Sequence, residues 1–119
     1  MSISIVLPWP PRSLHPNSRK HWAVKAKDAK QARKMAGWCA REAGIRPGDP
    51  DIPQALKVNI TFYPPNRHRH DLDGCLSALK SSLDGISDVL GIDDSKFEIA
   101  IRREQPVKGG AVRIELEQA

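Results

Sequence analysis

Leu72, Leu76, Leu79, Leu83, Ile86 and Leu90 recur at alternating steps of four and three, and the series ends at Gly91. At 3.6 residues per turn this spacing lays one apolar stripe along a helix. Such a helix cannot bury its stripe alone and needs a sheet or another helix beneath it. Gly91 supplies the left-handed residue that closes helices. A second stripe is thinner: Trp22, Ala26, Ala29, Ala32, Ala36, Cys39 and Ala43 predict a helix from Ser18 to about Ala43. Its face is mostly alanine, which allows close approach to a support. Gly44 stops it, and Arg46-Pro47-Gly48-Asp49-Pro50 reads as a turn-rich connection.

The remaining ordered segments alternate with period two, the mark of half-buried strands. Ser2–Leu7 is the first and ends at Pro8-Trp9-Pro10-Pro11, because prolines cannot serve a sheet ladder. Leu56–Tyr63 is the second, ended by Pro64-Pro65-Asn66. Phe97–Arg102 and Val112–Leu116 are the last two, with Lys108-Gly109-Gly110 between them. Glycines tolerate the positive φ of tight turns, so these two strands are expected to pair as an antiparallel hairpin. The order β-α-β-α-β-β predicts a single α+β domain over residues 1–119, one mixed sheet carrying two helices.

A formal net charge of +5 points to an anionic partner. Cys39 and Cys75 stand far apart with no C-x-x-C pair, as in a reduced intracellular protein. No window reaches the ~18 apolar residues of a membrane span, and the start lacks a basic region followed by a long apolar run. A cytoplasmic protein that does not engage membranes is the expectation.

The chemistry concentrates in Arg67-His68-Arg69-His70-Asp71-Leu72-Asp73. Acids at i and i+2 diverge by about 200° on a regular helix and cannot then share an ion. Asp71 is therefore expected just before the helix as its N-cap, with Asp73 in the first turn, where the helix dipole favours both. Mg²⁺ takes few carboxylates and keeps waters and substrate oxygens as its other ligands, which two aspartates beside a basic segment suit. Such aspartates also cap helices without binding anything. Asp73, Ser77, Lys80 and Asp84 lie within about 60° on the helix, flanking the leucine stripe, as an active site or a solvated ion-pair row would. Asp93 and Asp94 follow the helix and, in isolation, read as a polar turn.

Arg19, Lys20, Lys25, Lys27, Lys30, Arg33 and Lys34 meet one acid, Asp28, over the same span. A merely solubilising face usually mixes signs, so this run reads as a contact for backbone phosphates. His21 and Trp22 adjoin it, with Trp22 free either to stack or to pack. His68 and His70 lack a third ligand at zinc spacing and are read as solvated residues near phosphate. Cys39 and Cys75 read as small core residues.

Taken together, these residues resemble the RusA family of Holliday junction resolvases. The likeness runs from Ile5-Val6-Leu7-Pro8-Trp9-Pro10-Pro11 through the D-L-D block and Ile92-Asp93-Asp94-Ser95 to Val107-Lys108-Gly109-Gly110. The resemblance implies a Mg²⁺-dependent homodimer, with Mn²⁺ as the alternative ion, that nicks four-way branched DNA symmetrically. It maps the metal-binding aspartates onto Asp71, Asp73 and Asp94; the residues read from the basic segments as DNA contacts are Arg67, Arg69, Arg19, Lys20, His21, Lys25 and Lys27. Gly74 stands where the family usually has Asn, and Ser77 where it has an essential lysine. Lys80, one turn on, is the expected catalytic substitute. The competing expectations are a branched-DNA-binding protein without catalysis and a nuclease for flaps or forks.

A helix from Asp73 to Leu90 is roughly 27 Å long, which separates Asp94 from Asp73 within one chain. Either the helix breaks near Gly85, or two copies pack so that each site takes Asp94 from its partner.

Overall fold

The computed structural model describes residues 2–47, 52–53 and 55–119. Gly48, Asp49 and Pro50 of the expected turn lie outside the described residues. Strand β1 (Ser2–Pro8) leads through a short 3₁₀ turn at Arg12–Leu14 to helix α1 (Trp22–Glu42). Strand β2 (Leu56–Tyr63), helix α2 (Leu72–Leu90), strand β3 (Phe97–Arg103) and strand β4 (Ala111–Gln118) complete the α+β domain. Among the described residues, no helix is long and apolar enough to cross a membrane.

The expected hairpin does not form. Sheet order is β1-β4-β2-β3, so β3 pairs with β2 in parallel, while β4 inserts between β1 and β2, antiparallel to both. Burial explains the swap. Val112, Ile114 and Leu116 of β4 are fully buried and suit a central strand, whereas β3 exposes Ile99 and is mostly exposed at the edge. Residues 104–110 instead cross the end of β2, held by bonds from Glu104 N to Phe62 O (2.9 Å) and Val107 N to Pro64 O (2.9 Å). Gly109 and Gly110 do adopt positive φ, 78° and 73°, but in this crossing rather than in a hairpin.

Helix α1 starts at Trp22, four residues later than its periodicity suggested. His21 is extended, and its Nδ1 accepts a hydrogen bond from Ala23 N (3.1 Å), which caps the helix and excludes Ser18–Lys20 from it. Trp22 therefore projects beyond the core, 73% exposed beside the His21 ring. Helix α2 follows its stripe, with Leu79, Leu83 and Ile86 buried against Leu56, Val58, Ile60 and Phe62 of β2. Gly91 closes it with φ 72°.

The two helices cross where Gly85 meets α1. A Cβ built on Gly85 falls 2.0 Å from the Arg33 carbonyl oxygen, so only glycine fits this contact. The helix does not break at Gly85. Beside the crossing, Arg33 clamps Asp88 through Nε (2.6 Å) and Nη2 (2.8 Å), joining α1 to α2. Because that clash involves backbone, Gly85→Ala is expected to destabilise the protein by about 2 kcal/mol or more. Gly37→Ala meets Val89 Cγ2 at an ordinary 3.5 Å and should be neutral or better, by up to about 1 kcal/mol. Urea midpoints of the two variants check the contrast.

Candidate active site

Pairing directions gather the chain at one end of the sheet. Strands β1, β2 and β3 all end there, β4 begins there, and α2 starts there as well. Ligands of open α/β sheets favour this carboxyl edge, where side chains from several elements converge. Asp71, Leu72, Asp73 and Gly74 from the start of α2 meet His15 and Asn17 from the loop before α1, and Arg103 from the end of β3, around a shallow hollow.

Asp71 occupies the N-cap position in extended conformation, as expected, and Asp73 lies in the first turn. An aspartate acting as a cap accepts a hydrogen bond from the backbone N–H of N2 or N3. The Asp71 carboxylate accepts none. Its nearest partner is Arg69 Nε at 3.5 Å, both side chains largely exposed, a weak pairing. Asp93 behaves in the opposite way: its Oδ1 accepts from Ser95 N (2.9 Å), and this bond holds its pKa below the usual carboxylate value. Asp93 is a turn-former, while Asp71, among the described residues, makes no side-chain hydrogen bond and only the loose contact with Arg69.

Within one chain, Asp94 does not join Asp71 and Asp73. It opens the short 3₁₀ turn beyond the far end of α2 and pairs with Lys80 Nζ at 3.6 Å. Among the described residues, no three His, Cys, Asp or Glu side chains stand close enough to hold a metal ion. Asp73, Ser77 and Lys80 are exposed along one side of α2, as the periodicity predicted, but Lys80 faces Asp94 rather than the aspartate pair.

A broad groove adjoins the hollow and shares His15 and Asn17 with it. Arg12, Arg19, Lys20, His68 and Arg69 line its rims, with Trp9 in its wall and Cys75 at its side. The basic run leading into and along α1 thus divides. Arg19 and Lys20 reach the groove, Lys25 donates to Ser18 O (2.9 Å), and Arg33 is committed to Asp88. Lys27 lies almost opposite Lys25 around the helix and does not line the groove. His21 is the cap of α1, and Arg67 is exposed outside the groove lining.

His70 is not a solvated histidine. Its ring stands edge-on to Trp9 (centroids 5.5 Å apart) and its Nε2 lies 2.9 Å from Asn66 Oδ1. Desolvation, with help from His68 and Arg103, lowers its pKa. Burial raises the thiol pKa of both Cys39 and Cys75, which suits packing rather than nucleophilic chemistry. His15 rests on Gly74, where a Cβ would fall 2.5 Å from its Nε2. His15, Asn17 and Arg103 escaped sequence reasoning because each reaches the site through a loop or strand end whose destination depends on topology.

No protein-family model matches the chain. A protein of Xylella fastidiosa (strain Temecula1), described as uncharacterized, is 45% identical over 94 residues, 79% of this chain. The chain spans 61% of that relative's length.

The direction of the His70 shift fixes a pH dependence. A depressed folded pKa means the unfolded chain takes the proton first as pH falls. The contribution is complete above the ordinary imidazole value of about 6.5 and is lost as pH drops through it toward the lower folded value. Urea midpoints between about pH 7.5 and 5.5 should fall more steeply for the wild type than for His70→Phe.

Proposed function

We propose that the chain is a Mg²⁺-dependent, structure-specific endonuclease of the RusA type that cuts four-way branched DNA as a homodimer. The observation that carries this reading is an aspartate pair at the start of α2, whose N-cap member Asp71 makes no capping hydrogen bond, beside a basic groove that shares its rim. The residues fit a hard cation, which needs only one or two protein carboxylates when water and phosphate oxygens supply the rest.

Asp71 and Asp73 would hold the ion, and the positive end of α2 supports their charge and that of an approaching phosphate. When bound, the ion supplies an activated water and stabilises charge on the phosphate and leaving oxygen. Arg19, Lys20 and Arg69 hold the DNA backbone along the groove, so affinity falls steeply with salt. These contacts read shape and charge rather than sequence, as a branched substrate requires.

The third carboxylate comes from a second copy in this reading. Helix α2 is unbroken, which leaves a partner's Asp94 as the route to a three-aspartate site. A two-fold arrangement of such shared sites suits two symmetric nicks. The pairing of Asp94 with Lys80 favours one rival, a branched-DNA-binding protein without catalysis.

Purified protein with labelled four-way, forked and linear DNA tests both readings. Mg²⁺-dependent symmetric nicks in the four-way substrate are expected, and Asp73→Asn should lower the rate by at least a hundredfold with binding retained. Mg²⁺-independent binding without nicks would favour the rival. Mixing Asp73→Asn with Asp94→Asn protein should restore a fraction of the activity that neither has alone; no recovery would count against shared sites.

A further inference from the structure

The hollow holds a cation outside every sequence block singled out above. Arg103, the last residue of β3, lines it together with Asp71, Asp73, Gly74 and His15. Its Nη1 donates to the carbonyl of His70 at 2.5 Å, so the guanidinium is fastened to the residue immediately before Asp71. Among the described residues it enters no ion pair, unlike the cations nearest to it in sequence and role. Arg102 alternates to the other side of the strand and lies 3.6 Å from Glu104, and Lys80 stands two turns along α2 against Asp94.

We infer that Arg103 is the phosphate-binding residue of the aspartate site, resting on the nuclease reading above. One N–H of the guanidinium is engaged by His70, and the Nε–Nη2 edge remains as a planar fork for two oxygens of one phosphate. Anchorage to His70 moves that fork with Asp71, so ion and phosphate ligands keep one geometry. This role falls to Arg103 rather than to Lys80, which stands two turns along α2 from the aspartate pair and beside Asp94. A lysine at 103 preserves charge but not the fork.

Arg103→Gln and Arg103→Lys test the assignment, with Arg113→Gln on the opposite face of the sheet as a control for lost charge. Binding to four-way DNA is measured without divalent ion across a salt series, cleavage in single turnovers with Mg²⁺, and stability by urea midpoint. Arg103→Gln is expected to reduce the salt slope by about one and the cleavage rate by about a hundredfold. Arg103→Lys should regain the slope and only part of the rate, with midpoints near wild type. Arg103→Gln that binds and cuts like Arg113→Gln overturns the inference. So does an unchanged slope with rate and midpoint falling together in both variants, which marks Arg103 as a brace for His70 alone. Should the wild type make no nicks, the nuclease reading fails, and the metal-free salt slope still decides whether Arg103 contacts phosphate.

Discussion

Strand β4 lies between β1 and β2 and uses both of its hydrogen-bonding edges, so β3 cannot pair with it and attaches instead on the far side of β2. That constraint forces the chain after β3 to cross the end of β2 before it re-enters the sheet. The crossing packs tightly: a Cβ on Gly110 would come within 2.9 Å of Trp9 Cβ, and Trp9 in turn stands edge-on to Phe62 and His70. A hairpin between β3 and β4 would carry Arg103 to a different neighbour. The sheet order thus brings a basic strand end, a tryptophan and an acidic helix start to one edge.

Charge on the two helices divides between holding the fold and facing a ligand. Arg33 and Asp88 satisfy one another across the helix crossing, and the Ser13 hydroxyl donates to Asp28 (2.5 Å), tying the loop before α1 to that helix. The Ser13–Asp28 bond holds the loop that carries His15 and Asn17 into the hollow. Among the described residues, Asp71, Asp73 and the groove cations have no comparable internal partner beyond the loose contact between Asp71 and Arg69. Polar groups held by neighbours build the frame, and those left free form the candidate site.

The helices and strand segments were legible because each depends on local periodicity. The stripe from Leu72 to Leu90 and the alternation in Leu56–Tyr63 both reappear as buried faces. Asp71 at the N-cap followed from helix geometry once Asp71 and Asp73 were read as an ion-sharing pair, since i, i+2 acids cannot share an ion inside a helix. Sheet order was not legible, because Lys108-Gly109-Gly110 offers the same positive φ to a hairpin and to a crossing. Arg103 and His15 were hidden for that reason, and a count of basic residues does not say which side of a helix each occupies, so it could not separate Lys27 from the groove-lining Arg19 and Lys20. The tasks of His21 and His70, a cap and an aromatic contact, are tertiary outcomes that a run of basic residues conceals.

The central claim is that Asp71 and Asp73 bind a divalent ion at the rim of the basic groove. Mn²⁺ titrated into ¹⁵N-labelled protein tests it directly, because a bound paramagnetic ion broadens the amide signals nearest to it. Signals from Asp71 to Gly74, with those of His15 and Arg103, should disappear first and recover when Mg²⁺ is added in excess. Broadening that spares Asp71–Gly74, or spreads evenly over the surface acids, would contradict the account.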